Sequence, residues 1–102
     1  MTLSKHPKTL LVIVAEAVLE KRLVQDARQR GARGWTVTEV HGGGHEGVRE
    51  GAWEADRTIE IKVVCEADVA DRIAEHVLET YAPHYSVILY FSPVLVLRPE
   101  RF

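Results

Sequence analysis

Several segments of the chain carry hydrophobic patterns typical of β-strands. Thr9 to Ala15 is a continuous apolar run, which predicts a strand that is buried on both faces. Polar and apolar residues alternate from Trp35 to Val40 and from Thr58 to Cys65, which predicts strands with one buried face. Tyr85 to Phe91 predicts the last long strand, and Val94 to Leu97 predicts a short edge strand behind a proline.

Two segments with helical spacing separate these strands. Between Glu16 and Arg30, apolar residues recur at helical spacing, and Gly31 follows as a candidate C-cap. A second apolar stripe runs from Asp68 to Tyr81, until Pro83 stops the helix. The order β-α-β-β-α-β predicts an α+β ferredoxin-like sandwich, in which both helices cover one face of a four-stranded antiparallel sheet.

The other face of the predicted sheet has no element left to cover it. Its strands contribute apolar side chains, with Val37 or Val40 and Val64 among the candidates. An uncovered, partly apolar sheet face usually marks an interface between subunits. The pattern therefore predicts an oligomer.

The composition narrows the class of protein. The chain has 102 residues and a mass of 11.5 kDa, which predicts a single domain over residues 1–102. A formal net charge of −2 disfavours electrostatic binding of nucleic acid. Cys65 is the one cysteine, so neither an intramolecular disulfide nor a structural cysteine-rich zinc site is expected. Neither a signal peptide nor a membrane span is visible, and we expect a cytoplasmic location.

A glycine-rich segment is the clearest candidate for chemistry. His41 to Asp56 holds five of the seven glycines and shows no period, so we expect a flexible loop over about 42–57. Backbone N–H groups of Gly42, Gly43 and Gly44 could converge on an anion, and the guanidinium of Arg49 suits phosphate or carboxylate oxygens. Neither a Walker loop nor a dinucleotide fingerprint is present. A simple flexible hairpin connection explains the glycines as well.

Candidate metal and catalytic groups are scattered. His41 and His45 flank the glycines but lack an obvious third ligand, so a solvated pair is favoured over a metal site. The carboxylates Glu39, Glu60 and Glu66 show no sign of convergence, and no nucleophile–base arrangement is recognisable. We therefore expect no catalytic residue, no metal ligand and no cofactor.

Two longer segments resemble PII-like signalling proteins. The first is LVIVAEAVLEKRLVQDARQRGARGWTVTEVHGGG and the second is TIEIKVVCEADVADRIAEHV. The resemblance covers about Leu10 to Leu97, and it identifies the glycine-rich loop with the T-loop of that family. The glycine-rich start followed by Arg49 is most similar to the branch associated with carboxysomes and bicarbonate transporters, which includes the CPII and SbtB proteins. The loop lacks the tyrosine that nitrogen-regulating members use for uridylylation.

The resemblance implies a ligand-sensing role and not catalysis. It implies a homotrimer that holds adenine nucleotide, with ADP or AMP favoured, in the clefts between subunits. Bicarbonate is the second expected ligand. The T-loop would then control a partner in inorganic-carbon uptake or fixation, such as a bicarbonate transporter or a carboxysome-associated protein.

The same resemblance supplies candidate site residues. The purine is expected against strand backbone, and the phosphates against the glycine loop. Arg98 and Arg101 could meet the same anion as Arg49 if the tail at residues 98–102 folds over a neighbouring subunit, and a solvated tail explains these arginines as well. The strand residues are Gly34, Trp35, Thr36, Val37, Thr38, Ser86, Val87, Ile88 and Leu89, and the phosphate residues are Gly42, Gly43, Gly44, Arg49, Arg98 and Arg101. Bicarbonate is expected at Gly43, Gly44 and Arg49.

Two other functions remain open from the sequence. One is a slow nucleotide hydrolase on the same scaffold, using Glu60 or a loop histidine. The other is a metal-handling trimer of the CutA type, which shares the architecture. Turnover of ATP or ADP would identify the first, and tight binding of divalent metal without nucleotide affinity would identify the second.

Overall fold

The computed structural model describes residues 2–44, 47–49 and 57–102. Along these residues, six strands, two α-helices and two short 3₁₀ turns follow one another. They are β1 (His6–Glu16), a 3₁₀ turn (Ala17–Leu19), α1 (Glu20–Gln29), β2 (Thr36–Val40), β3 (Gly42–Gly44), β4 (Gly47–Arg49), β5 (Thr58–Cys65), α2 (Ala67–Thr80), β6 (Ile88–Val96) and a second 3₁₀ turn (Pro99–Arg101). Within the same residues, no helix is long and apolar enough to cross a membrane.

The main sheet has four antiparallel strands in the order β2-β5-β1-β6. Alternate residues of the central strands, such as Leu11, Ile13, Ile61 and Val63, are fully buried. They form the core together with residues of both helices, including Leu23 of α1. Both helices therefore cover one face of the sheet, as the pattern predicted, and the α+β ferredoxin-like fold is confirmed. We call the opposite face the open face.

The register assigns the candidate interface residues to their faces. Val37 lies opposite Ile61 and packs against the core, so it belongs to the helix-covered face. Val64 lies opposite Leu10, one position out of phase with the core residues, and belongs to the open face. Of the two valines proposed for β2, Val40 is therefore the one on the open face, since side chains alternate along a strand.

The first helix begins later than its sequence pattern predicted. Glu16 still pairs with Thr58, and the backbone N–H of Ala17 donates to the carbonyl of Arg57 at 2.8 Å. These contacts keep the chain extended through Glu16, so a 3₁₀ turn intervenes and α1 starts only at Glu20. The predicted helix start at Glu16 was therefore wrong by four residues.

The last strand is continuous where two strands were predicted. It runs from Ile88 to Val96 and passes through Pro93, which lies opposite Thr9. Proline is tolerated because β6 is an edge strand, where half of the backbone N–H groups have no ladder partner. The strand also starts later than Tyr85, whose N–H donates instead to the carbonyl of Tyr81 at 2.9 Å.

The glycine-rich segment opens as a hairpin and not as an irregular loop. β3 pairs with β4 in antiparallel register, with Gly42 opposite Arg49 and Gly43 opposite Val48. Paired strands are therefore present at residues 42–44 and 47–49, inside the segment that the sequence predicted as a flexible loop. Residues 45–46 and 50–56 of the predicted flexible loop, which include His45 and Trp53, lie outside the described residues.

Candidate functional site

A cleft of about 400 Å³ lies on the open face where β2 begins. Leu10, Lys62 and Val64 supply its sheet wall, and the start of β2 supplies a second wall. The cleft is lined by Leu10, Arg33, Gly34, Trp35, Thr36, Lys62, Val64, Arg101 and Phe102. It is therefore a meeting point of β1, β5, the α1–β2 connection and the end of the chain.

The connection from α1 to β2 is held firmly on its helix side. Gly31 has a φ of +115°, a conformation that favours glycine, and it ends the helix as the sequence predicted. A Cβ at this position would lie 3.3 Å from a methyl group of Val69. The next residue, Ala32, is buried, and its N–H donates to the carbonyl of Ala27 at 3.0 Å. The backbone at Ala32 is therefore fixed against α1, and the chain passes from there through Arg33 and Gly34 to β2.

The tail returns to this connection. Its 3₁₀ turn, Pro99–Arg101, carries the backbone carbonyl of Glu100 to the side chain of Arg33. Arg33 Nη1 donates a hydrogen bond to that carbonyl at 2.9 Å. Arg101 and Phe102 thereby line the cleft of their own chain. The tail therefore lies against the start of β2 of its own chain.

Positive charge surrounds the cleft. Arg33, Lys62 and Arg101 bring cationic groups to it. Lys62 Nζ lies 3.4 Å from a carboxylate oxygen of Glu60, which partly balances one of these charges. Leu10, Val64 and Phe102 add apolar surface between the cations. Such a site suits an anion that also carries a flat, weakly polar body.

The structure brings four of the predicted nucleotide-binding residues together. Gly34, Trp35, Thr36 and Arg101 all line the cleft. Arg98 is not part of the lining, and its Nε lies 3.6 Å from a carboxylate oxygen of Glu100.

The other predicted strand residues lie farther away on the same chain. Val37 packs against the core, and Thr38 follows it along β2. Ser86 and Val87 precede β6, while Ile88 and Leu89 begin it. Since β5 and β1 separate β2 from β6, these two groups lie about 14 Å apart, three interstrand spacings.

The predicted phosphate and bicarbonate loop lies at the far end of β2. Gly42, Gly43 and Gly44 form one strand of the hairpin, and Arg49 ends the other. The hairpin register places the backbone of Arg49 opposite Gly42. The side chain of Arg49 lies outside the described residues.

Several cleft residues were missed at the level of sequence. Lys62 lies within the alternating segment of β5, where nothing marks it for a ligand, and no pattern marks Arg33. Leu10 and Val64 were read as sheet residues without a ligand role. These residues come together because of which strands pair in the sheet and where the tail runs. The spacing of residues along the sequence shows neither.

A smaller depression lies at the base of the hairpin. Its volume is about 170 Å³, and it is lined by Glu39, Val40, His41, Arg57 and Thr58. Arg57 Nη1 and a carboxylate oxygen of Glu39 lie 3.2 Å apart, so an ion pair spans the point where the hairpin leaves the sheet. Over residues 2–44, 47–49 and 57–102, no group of three or more potential metal ligands comes together.

Comparisons with known proteins identify the family. A family model described as "Nitrogen regulatory protein P-II" matches residues 8–101. A PII-like signalling protein from Thermus thermophilus is 39% identical, with a TM-score of 0.85, and the alignment covers 98% of this chain and 99% of that one.

Two further solved structures share the fold at lower identity. CPII from Thiomonas intermedia, bound to ADP, AMP and bicarbonate, is 21% identical with a TM-score of 0.88, covering 99% of this chain and 98% of that chain. A DUF3240 family protein from Shewanella baltica is 15% identical with a TM-score of 0.69, covering 92% of each chain. With the family model matched from residue 8 to residue 101, this chain belongs to the P-II family.

Proposed function

We propose that this PII-like regulatory protein senses adenine nucleotide, binding ADP or AMP together with bicarbonate in clefts between the subunits of a homotrimer. The observation that carries the proposal is the cleft on the open face. It unites the start of β2 with a cationic tail residue, Arg101, around an apolar wall. A nucleotide has the matching chemistry, because it joins a flat base to an anionic phosphate group.

The cleft offers a separate surface to each part of a nucleotide. Leu10 and Val64 present apolar side chains against which a purine can pack. The backbone of Gly34 to Thr36 offers N–H and carbonyl groups to the edge of the base. Arg101 provides a guanidinium fork that suits phosphate oxygens.

The position of Ser86 to Leu89 supports a site shared between subunits. On one chain this segment and the cleft lie at opposite edges of the sheet. Packing of open faces around a threefold axis would let the β6 edge of one subunit approach the β2 edge of the next. Exposed apolar residues on the open face, including Ile88 and Tyr90, favour such packing.

The hairpin suggests how binding is communicated. The predicted T-loop, residues 42–57, leaves the sheet at the end of β2, the strand whose beginning lines the cleft. Ligands that bind one arrangement of this loop better than another shift its population and so change which partner it contacts. We propose a bicarbonate transporter or a carboxysome-associated protein as that partner. The CPII complex with ADP, AMP and bicarbonate supports the choice of ligands.

Thermal unfolding in the presence of nucleotides tests the proposal. ADP, AMP and ATP are compared at matched ionic strength, with and without bicarbonate. A ligand present at about 100 times its dissociation constant raises the free energy of unfolding by about 2.7 kcal/mol. Arg101→Ala should weaken the response to ADP, whereas Lys21→Ala on the outer side of α1 should not.

If none of the three nucleotides stabilises the protein, the proposed function is refuted. Release of phosphate during the incubation would instead favour the hydrolase, and stabilisation by divalent metal alone would favour the CutA-type alternative.

A further inference from the structure

We propose that Arg33 is the positioning residue of the nucleotide cleft, because it anchors the tail that carries Arg101. The inference rests on the proposed function and extends it to a residue that does not itself need to contact the phosphates. Its starting point is the hydrogen bond from Arg33 Nη1 to the carbonyl of Glu100, which joins residues 67 positions apart.

The backbone that carries the donor is held on both sides of Arg33. Arg33 follows buried Ala32, whose N–H is bonded to the last turn of α1, and two residues separate it from the start of β2. Thr36 is already paired with Lys62 of β5. The guanidinium therefore projects from a short connection that is fixed at both ends.

The position of the tail, which carries the acceptor, depends on this hydrogen bond more than the position of Arg33 does. After β6 ends at Val96, the backbone bonds of the tail run within the tail itself, from Arg101 N–H to the Arg98 carbonyl and from Phe102 N–H to the Pro99 carbonyl. They shape the 3₁₀ turn but do not attach it to the connection between α1 and β2. The hydrogen bond from Arg33 does attach it, at the residue directly before Arg101.

The consequence for binding is preorganisation. Arg101 is an exposed side chain on a short turn, and fixing its backbone in advance lowers the entropy cost of engaging a phosphate. Arg33 therefore controls the affinity for phosphate-bearing ligands through Arg101. The affinity for a neutral nucleoside does not depend on the charge that Arg101 presents.

Calorimetry with variants of Arg33 provides the first test. Arg33→Ala should weaken ADP binding about tenfold, which corresponds to about 1.4 kcal/mol, and should weaken adenosine binding by a smaller factor. Arg33→Lys keeps a cationic donor and should recover part of the loss. Lys21→Ala removes the same charge from the helix layer and should leave both affinities at the wild-type value.

A double-mutant cycle separates positioning from direct contact. If Arg33 acts through the tail, Arg33→Ala should have no further effect in the Arg101→Ala background. Additive losses would mean that Arg33 meets the phosphates itself, and they would overturn the positioning role. Equal losses for ADP and adenosine would overturn it too, since they would indicate general damage to the cleft.

Hydrogen exchange tests the anchor without any ligand. The backbone amides of Arg101 and Phe102 should exchange faster in Arg33→Ala than in the wild type and in Lys21→Ala. Unchanged exchange would refute the anchor even if ADP binding were confirmed. Failure of the wild type to bind ADP would instead refute the proposed function and the role of Arg101, whatever the exchange of the tail.

Discussion

Tyr81, which follows the last turn of α2, donates a hydrogen bond from its hydroxyl group to the carboxylate of Asp26 in α1. The same carboxylate lies 3.1 Å from Nε2 of His76, and the guanidinium of Arg22 lies 4.9 Å from the centre of the Tyr81 ring. Tyr81 is only 2% exposed. The two helices are therefore joined by a largely buried polar contact beside their apolar packing.

Removing the hydroxyl group should destabilise the fold modestly. In Tyr81→Phe, the ring still packs, but Asp26 loses a hydrogen-bond donor in a poorly solvated position. We expect the free energy of unfolding to fall by about 1 kcal/mol in urea titrations. Tyr85→Phe, at a ring that packs 6.5 Å from Tyr81, is the control and should change stability less.

The free energy of unfolding should fall at alkaline pH because of the same tyrosine. Burial, followed by the hydrogen bond to Asp26, raises the pKa of Tyr81 above its ordinary value of 10.0. The unfolded chain therefore loses this proton at a lower pH than the folded chain does. The stabilisation is complete below the unfolded-state pKa and is lost as the pH rises through the folded-state pKa. Urea titrations from neutral into alkaline pH should show that the free energy of unfolding falls less in Tyr81→Phe than in the wild type. An equal fall in both proteins would show that Tyr81 is not the group responsible.

The open face should hold the subunits together. Tyr90 is 48% exposed there and lies opposite Val12. We expect light scattering to report a trimer at micromolar concentration, and Tyr90→Glu to shift the mass toward that of the 11.5 kDa chain by burying a charge in the interface. Val18→Glu, at a site that is 67% exposed beside α1, is the matched control and should remain trimeric. A wild-type protein that is monomeric under these conditions would disprove the interface.

The two arginines of the tail should differ in their effect on nucleotide. Arg101 lines the cleft, whereas Arg98 lies beside Glu100 and not in the lining. Arg101→Ala should weaken ADP binding by about tenfold, the scale of a lost charge-assisted hydrogen bond. Arg98→Ala should have a smaller effect. The reverse ranking in calorimetric titrations would show that the tail rearranges on binding.

Bicarbonate should strengthen the binding of nucleotides that have few phosphates. The hairpin glycines and Arg49 can offer backbone N–H groups and a guanidinium to a small planar anion. Nucleotide that fixes these donors also prepares them for bicarbonate, while a long phosphate chain would repel it. Calorimetry should show that bicarbonate improves the affinity for ADP more than that for ATP. Arg49→Ala should cost more than about 1 kcal/mol of ADP binding. The coupling between bicarbonate and nucleotide would be refuted if bicarbonate left the ADP affinity unchanged. The role of Arg49 would be refuted if Arg49→Ala bound ADP as tightly as the wild type.

The fold could be predicted where the local pattern has one interpretation. Alternation from Thr58 to Cys65 gave the bounds of β5 as the structure has them, and α2 differs by one residue at each end. The pattern did not predict the structure where pairing with an adjacent strand of the sheet decides the conformation. The pairing of Glu16 with β5 delays α1, and the edge position of β6 accommodates Pro93.

The cleft could be predicted only in part, for a related reason. The family pattern marked the start of β2 and the basic tail, but it did not show that Lys62 and Val64 lie beside them. Their proximity follows from the pairing of β2 with β5, in which Thr36 lies opposite Lys62. Arg33 could not be identified from the sequence because its partner is a backbone carbonyl, which every residue possesses.

The placement of β2 and β6 at opposite edges of one sheet has a consequence for mixed populations of chains. In the proposed trimer, each cleft takes its β2 wall from one polypeptide and its β6 wall from another. Two inactive variants, one altered at Arg101 and one altered near Ser86, would then complement each other after co-assembly. Each hybrid ring would contain a cleft with two unaltered walls, although no single chain in it is intact.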